Sequence, residues 1–415
     1  MKILLAAFGT RGDVQPMVAL GARLRADGRE VAIGASPGFA DWVRGHGLAF
    51  HAVGGDLEAW ARSHGGMTRS PARFIRPAMD YLRKEIDLSL EQTYAAARGA
   101  DMIVSGVHAA APSVAEALGL PHRTLLFCPQ MIASRHHPPP GVPWFSLPGF
   151  CNRALWWAFA RGFDLMLRDP LNRRRHQWGL PPVTGVLDYL LTDRSIVASD
   201  ALLGEVPPDA SRGIPQIGSL WLADRGALEP ALERFLANGE PPVYIGFGSM
   251  PDADPRATTR ALLEALEACR RRGVIHPGWA GLGAGGVPPS VFLARSAPHL
   301  LLLPRVVLAV HHGGAGTTAA AARAGVPQIV VPHCVDQLYW GHQIHERGLG
   351  SRPIPRASLT AARLARAIGE VLSRPDVSEQ AREVGAGLAR TDGVLALTQL
   401  LYEAASHAPA LRAAA

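Results

Sequence analysis

The stretch VHHGGAGTTAAAARAGVPQIVVPHCVDQLYWG, residues 310–341, places a glycine-rich turn between an apolar run and an alanine-rich segment. The apolar run 300–310 predicts a strand buried on both faces, and the glycines predict a tight turn. AAAARA (319–324) predicts a helix, and PQIVVPH (327–333) predicts the next strand. Together they form a βαβ unit whose helix N-terminus offers free N–H groups to an anion. The stretch matches neither the dehydrogenase nor the Walker glycine pattern, so it does not name that anion.

The same order of elements begins the chain and recurs near its middle. KILLAAFG (2–9) predicts a strand, GTRGDVQP (9–16) a glycine loop, MVALGARLRADG (17–28) a helix and EVAIGAS (30–36) a second strand. Residues 241–273 repeat the order of strand, glycine-serine loop and helix. Two such units half a chain apart predict an α/β protein with two doubly wound domains. Ligands of such sheets lie outside the carboxyl ends of the strands, so the two domains are expected to share one cleft.

The domain limits follow from composition. We predict a first domain over 1–220 and a second over 221–385. We predict a C-terminal helix and tail over 386–415. This segment could cross back to the first domain. The segment 135–160 is proline-rich, then aromatic, and too irregular for a sheet element.

Composition narrows the class of protein. Of the 415 residues, 48% are hydrophobic and 19% are charged, which is typical of a globular chain. A net charge of +7 suits an anionic ligand or a membrane surface, but no Lys/Arg run or aromatic RNA-binding pattern indicates nucleic acid. Four widely separated cysteines indicate a reduced, cytoplasmic protein. The first residues fail as a signal peptide and no run is long enough for a transmembrane helix, so only a peripheral membrane contact stays open.

At this point the motifs resemble a known family. GTRGDVQP, GFGSM (246–250) and the stretch 310–341 together resemble the inverting B-type (GT-B) glycosyltransferases of the UDP-glycosyltransferase superfamily. The most similar subgroup is that of the bacterial antibiotic and sterol or lipid glucosyltransferases, and VAEALGLP (114–121) and LNRRRHQWGLPPV (171–183) extend the likeness over nearly the whole chain. The resemblance implies two Rossmann-like domains facing a central cleft, with the acceptor in the first and the nucleotide-sugar in the second.

The resemblance also implies a reaction. A hexose would pass from a UDP- or dTDP-sugar to a hydroxyl of a hydrophobic natural product, sterol or lipid, with inversion at the anomeric carbon. Neither a metal nor another cofactor would be required, because the nucleotide-sugar is a co-substrate. The base of the nucleotide, uracil or thymine, and the acceptor itself remain undecided.

Residue roles carry over by position. Asp13 would be the general base for the acceptor hydroxyl. The residues expected around the nucleotide-sugar are Gly12, Ser249, His312, Gly314, Gly316, Thr317, Asp336 and Gln337. The chemistry is consistent, since a helix N-terminus with an imidazole donor can stabilise the charge of a leaving diphosphate. Phe145 and His108 are the expected acceptor contacts.

Alternatives stay open for several of these features. Asp13 could instead cap a helix beginning near Pro16, and the aromatic residues of 154–163 could bury a helix face. The D-x-D of PDADP (251–255) marks a metal site in other transferases, but here it stands where a helix cap is expected, so no metal site is predicted. Two other functions compete: a nucleotide-sugar epimerase of the same fold, and a non-catalytic auxiliary protein.

Overall fold

The structure of the chain is a computed structural model. It describes residues 1–56, 59, 71–192, 194–210, 213–223, 226–296 and 298–412, and the side chains of 71–83 and 404–412 lie outside the description.

The first sheet is parallel, with the strand order β3-β2-β1-β4-β5-β6. Its strands are β1 Lys2–Ala6, β2 Glu30–Ala35, β3 Ala49–Ala52, β4 Met102–Ser105, β5 His122–Leu126 and β6 Ser195–Val197. In register, Leu4 of β1 pairs with Ala32 on one side and Ile103 on the other. All three are buried, because helices cover both faces of the sheet.

The helices of this half run α1 Arg11–Ala26, α2 Ala40–Gly45, α3 Pro71–Ala97, α4 Ala111–Leu118, α5 Gly149–Gln177 and α6 Val186–Leu190. Two of them correct the sequence interpretation. Residues 9–16 were expected to be a loop, yet α1 begins at Arg11, because Thr10 and Asp13 form a capping box. Within 135–160, which was expected to be irregular, α5 begins at Gly149, directly after Pro148.

The second sheet is also parallel, with the order β11-β10-β7-β8-β9. Its strands are β7 Val243–Gly246, β8 Gly273–His276, β9 Val291–Leu293, β10 Leu308–His311 and β11 Gln328–Val330. The helices are α7 Pro230–Ala237, α8 Pro255–Ala268, α9 His299–Leu302, α10 Ala315–Arg323, α11 Gln337–Glu346, α12 Ala361–Leu372, α13 Pro375–Leu388 and α14 Gly393–Arg412. The fold is therefore the predicted pair of doubly wound α/β domains.

The run 300–310 is only partly the predicted strand. Its leucines form α9 and a 3-10 turn over Leu303–Arg305, and the strand begins at Leu308. A short apolar run does not distinguish a buried helical turn from a buried strand, and Pro304 has no N–H to give a neighbouring strand. The strand is consequently shorter than predicted, but it still leads directly into the histidines.

The last helix packs against the first domain. Val394, Leu397 and Leu401 of α14 share a core cluster with Ile3 of β1, and the Tyr402 hydroxyl donates to Asp27 at the end of α1. The chain thus passes between the sheets twice, once after β6 and once before α14. No helix in the described part of the chain is long and apolar enough to cross a membrane.

Both passages meet at one buried carboxylate. Asp200, just after β6, accepts hydrogen bonds from the backbone and hydroxyl of Ser219 on the outgoing passage. It also accepts one of 2.9 Å from the Thr391 hydroxyl on the returning passage. The side chain is 2% exposed, so these bonds are sheltered from water.

Candidate active site

Asp13 lies in the first turn of α1, at the carboxyl end of β1. Its Oδ2 accepts a 2.7 Å hydrogen bond from the Thr10 backbone N–H. A Cβ at Gly9, whose φ is +138°, would collide with this carboxylate, so the glycine permits its position. Burial raises the pKa of Asp13 to about 6, against the opposing effect of the Thr10 hydrogen bonds. Part of the side chain remains exposed, so it can still meet a substrate.

A second carboxylate faces it from the other domain. Asp336 is the residue before α11, and burial followed by the negative charge of Asp13 raises its pKa to about 6. Since Asp13 belongs to the first domain and Asp336 to the second, the effect of the Asp13 charge on the pKa of Asp336 indicates that both carboxylates lie near the same cleft. A hydrogen bond between the two domains lies next to Asp336: the Gly141 N–H of the first domain donates to the Val335 carbonyl of the second.

His312 is enclosed by glycines. A Cβ at Gly248 would lie 2.8 Å from its Cε1, and a Cβ at Gly314 would overlap its Nε2. Its Nδ1 is buried and lacks a well-formed hydrogen bond to any described residue. Burial and the neighbouring histidines hold the pKa of His312 well below its usual range. The imidazole is therefore neutral and acts through a hydrogen bond more than through charge.

The neighbouring His311 has a structural role. Its Nε2 donates to Gln328 at 2.8 Å, and its Nδ1 accepts from the Gly313 N–H at 3.0 Å. These bonds fix the turn that leads into α10.

The predicted phosphate-binding residues lie around that turn. Gly314 is the N-cap of α10, and Gly316 and Thr317 are in its first turn, where backbone N–H groups lack helical acceptors. Gly316 is exposed, with open space where a side chain would stand. Ser249 follows Gly248, the glycine packed on His312, so the facing loop reaches the same place.

Two predicted donor residues have different contacts from those expected. The Gln337 side chain is 5% exposed, and its Oε1 accepts from the His333 and Cys334 backbone N–H groups. Its Nε2 points to the Met250 sulfur at 3.2 Å. Gln337 therefore braces its own loop, which leaves Asp336 as the outward-facing member of the pair. The Gly12 N–H is likewise occupied, since it donates to the Thr10 hydroxyl.

The expected acceptor residues are separated. His108 is buried, its Nδ1 accepts from the Ala111 N–H, and its Nε2 has no partner among the described residues. Its ring meets Phe8 edge-on with centroids 6.0 Å apart. Phe145 instead stacks on His342 of α11, with ring centroids 4.3 Å apart and planes 9° apart. Phe145 thus joins the two domains, a contact that the sequence did not reveal.

One further candidate was missed by the sequence interpretation. The Arg11 guanidinium lies over the Trp42 ring, and its positive charge contributes to lowering the pKa values of His276 and His299 in the second domain, after burial. Arg11 consequently brings positive charge to the cleft next to Asp13. The sequence offered one indication of this role, because Arg11 stands two residues before Asp13 in the motif GTRGD.

The D-x-D carboxylates are already engaged within the second domain. Asp252 pairs with Arg356 at 2.5 Å and accepts from the Thr258 hydroxyl, while Asp254 caps α8 through the Ala257 N–H. Within the described ranges, no group of three His, Cys, Asp or Glu side chains is arranged to hold a metal ion. Both acids therefore have the structural contacts expected of a helix start.

Two facing parallel-sheet domains with this cleft define a GT-B protein. The family model of the glycosyltransferase family 28 N-terminal domain matches residues 3–135, and that of the erythromycin biosynthesis protein CIII-like C-terminal domain matches 261–392. The chain belongs to the UDP-glycosyltransferase superfamily, in the subgroup of the antibiotic and sterol glucosyltransferases, and is a transferase. The resemblance drawn from its motifs is confirmed.

Individual relatives agree with this placement. A vancomycin aglycone glucosyltransferase of Amycolatopsis orientalis is 35% identical, over 98% of each chain. The sterol 3-beta-glucosyltransferase UGT80B1 of Arabidopsis thaliana is 33% identical, over 97% of this chain and 68% of that one. The structure of glycosyltransferase VinC in complex with dTDP superposes with a TM-score of 0.68, at 21% identity, over 98% of this chain and 100% of that one.

Proposed function

We propose that the protein transfers a hexose from a UDP- or dTDP-sugar to a hydroxyl of a hydrophobic small molecule, with inversion. The observation that carries the proposal is the junction at Val335, next to Asp336, where the Gly141 N–H of the first domain donates to the Val335 carbonyl and where the charge of Asp13 contributes to raising the pKa of Asp336. Asp336 adjoins the glycine turn, because a Cβ at Gly313 would lie 3.0 Å from the Gln337 carbonyl. In this proposal the substrates lie between three groups: Asp13 as the base, Asp336 as the carboxylate that binds sugar hydroxyls, and the N-terminus of α10.

Asp13 is the general base of this proposal. An acceptor hydroxyl is a weak nucleophile until its proton is removed, and a half-buried carboxylate with a raised pKa can take that proton. The hydrogen bonds from the Thr10 N–H and hydroxyl both go to Oδ2, which leaves Oδ1 for the acceptor hydroxyl. The oxygen, once deprotonated, attacks the anomeric carbon as the bond to the diphosphate breaks.

The diphosphate is stabilised from the second domain. Its charge grows as it leaves, and the N-terminus of α10 with the neutral His312 provides fixed donors for that charge. Ser249 approaches from the opposite loop. In this proposal the acceptor oxygen displaces the diphosphate in a single step, from the side of the anomeric carbon opposite the leaving group, and such a displacement inverts the configuration.

The relatives support the substrate classes. One is named for the vancomycin aglycone and one for a sterol, and both are named glucosyltransferases. No observation favours the epimerase or the auxiliary protein, since the relatives are named transferases and Asp13, His312 and Asp336 stand at one cleft.

The deciding experiment has two stages. Thermal unfolding with UDP-, dTDP- and GDP-sugars should show selective stabilisation by a UDP- or dTDP-sugar, because a ligand that binds only the folded state raises its stability. Turnover is then measured with that donor and a panel of sterols, aglycones, free sugars and charged metabolites. Stabilisation by none of the donors, or transfer only to the polar acceptors, would overturn the proposal.

The pH dependence of turnover should report the Asp13 carboxylate. Its pKa is about 6, so kcat/KM should be level above that pH and should fall about tenfold for each unit below it. The sign follows because the base works only when deprotonated. The profile is measured at sub-saturating acceptor, and a rate that stays level down to the ordinary aspartate range near pH 4 would contradict the assignment.

Chelation should leave activity unchanged. Asp252 is held by Arg356, and Asp254 is a helix cap, so neither acid is expected to bind a metal during turnover. Initial rates are compared before and after EDTA treatment. Complete loss of activity with EDTA, followed by recovery with Mg²⁺ or Mn²⁺, would instead indicate that Asp252 and Asp254 bind a catalytic metal ion.

Truncation of Phe145 should affect both substrates. Phe145→Ala removes the stack on His342, an aromatic contact worth about 0.5–1.5 kcal/mol, and loosens the helix that follows Asp336. We expect the KM values of donor and acceptor each to rise about two- to tenfold. The exposed neighbour Trp144→Ala is the control. A rise in the acceptor KM alone would instead place Phe145 in the acceptor site.

A further inference from the structure

The most exposed apolar side chains cluster in one part of the chain. Among the described residues, the four large hydrophobic side chains with the greatest exposure are Leu165 at 74%, Trp157 at 68%, Phe150 at 66% and Trp144 at 61%. Single exposed hydrophobic residues are normal on protein surfaces, but a contiguous group marks a contact with a partner or a membrane.

Three of the four lie on one side of α5. Phe150, Trp157 and Leu165 are separated by seven and eight residues, which is about two helical turns each, so they form a row along the helix. The opposite side is buried, and there the Trp156 indole donates to the His137 carbonyl. The helix is therefore anchored by one face and presents apolar side chains on the other.

Arginines accompany the row. Arg153 and Arg161 are eight residues apart on the same exposed side. Arg161 also pairs with the buried Asp164, and Arg168 lies beside the exposed Asp169, at 3.9 Å. The cations outnumber the acids that reach the surface here, and the whole chain carries a net charge of +7. Such a surface is complementary to an anionic partner.

We propose that the outer face of α5, formed by Phe150, Arg153, Trp157, Arg161 and Leu165, docks on an anionic lipid bilayer together with Trp144 in the segment before the helix. A helix with aromatic side chains along one face suits the interface, where the rings enter the acyl boundary and the long arginines reach the headgroup phosphates. The positive charge adds attraction to anionic lipids in particular.

The position of the face matters for the reaction. Trp144 precedes Phe145, which contacts α11 of the second domain, so the docking face begins at the junction of the two domains. A bilayer on this face would hold apolar acceptors beside the cleft. That consequence rests on the proposed function, whereas the docking itself does not.

Vesicle flotation of the full chain tests the docking without any turnover. Vesicles of phosphatidylcholine are compared with vesicles that also contain phosphatidylglycerol, and we expect clear binding to the anionic ones. The double variant Phe150→Ser, Trp157→Ser should lower the partition coefficient by roughly tenfold or more, since two buried aromatic contacts are lost. Arg153→Gln should weaken binding to anionic vesicles alone.

The matched control is Leu202→Ser, which removes a side chain 48% exposed elsewhere on the surface and should bind as the unmodified chain does. Circular dichroism establishes that each variant is folded. Equal flotation of the double variant and the unmodified chain would overturn the proposal, as would failure of the unmodified chain to bind anionic vesicles. Light scattering that shows a dimer, lost in the double variant, would assign the face to a second copy of the chain instead.

Discussion

Replacement of Asp13 by asparagine is expected to lower kcat by ~10²–10⁴-fold, the range for loss of a general base. Asparagine retains the shape of the side chain and its ability to accept from the Thr10 N–H, so α1 should keep its cap. The loss would then come from the proton that no longer has an acceptor. Steady-state kinetics at saturating donor and acceptor measure it, with donor affinity expected to stay nearly unchanged.

Asp254→Asn is the matched control for this prediction. Asp254 caps α8 through the Ala257 N–H, so it makes the same kind of helix contact in the donor domain without facing Asp336. We expect near-normal activity from it. If Asp13→Asn retained more than about a tenth of the activity, the contribution would fall below that of a general base, and Asp13 would serve only as a cap.

Replacement of His312 by alanine should lower kcat/KM by roughly 10- to 1,000-fold, as the loss of one preorganised donor does. The imidazole is packed between Gly248 and Gly314, so its removal leaves a space at the phosphate end of the cleft. Because the buried ring is neutral, an uncharged donor should replace it in part. We therefore expect His312→Gln to retain more activity than His312→Ala.

The measurement is kcat/KM at sub-saturating donor, together with binding of the nucleoside diphosphate. The exposed His176 in α5 gives the control, since His176→Ala changes a histidine far from the glycine turn along the chain. Equal kinetics for the unmodified chain and His312→Ala would remove His312 from the donor site.

The sequence was most informative where local chemistry decides the structure. Buried strands, glycine turns and the alanine-rich helix are specified by neighbouring residues, and so the two doubly wound domains could be predicted. The hydrogen bond from the Gly313 N–H to His311, two residues earlier, is a local contact of the same kind.

The failures have physical reasons of two kinds. The beginning of α1 was placed too late because Pro16 suggested a later start. The capping box between Thr10 and Asp13 was not recognised, since Asp13 was expected to face the cleft. The contacts of Gln337 with Met250 and of Phe145 with His342 could not be foreseen, because these partners are distant in sequence or lie in the other domain. Contacts of that kind follow from the packing of the domains, which no local pattern specifies.

The buried carboxylate of Asp200 restricts how the two domains can move. Two covalent passages join them, and hydrogen bonds from Ser219 and Thr391 bring both passages to this one side chain. Sliding or independent twisting would break those bonds, whereas a swing about a line through Asp200 would preserve them. We therefore expect any opening of the cleft that keeps these bonds to pivot at Asp200, so that Asp13 and Asp336 can separate and meet again without breaking them.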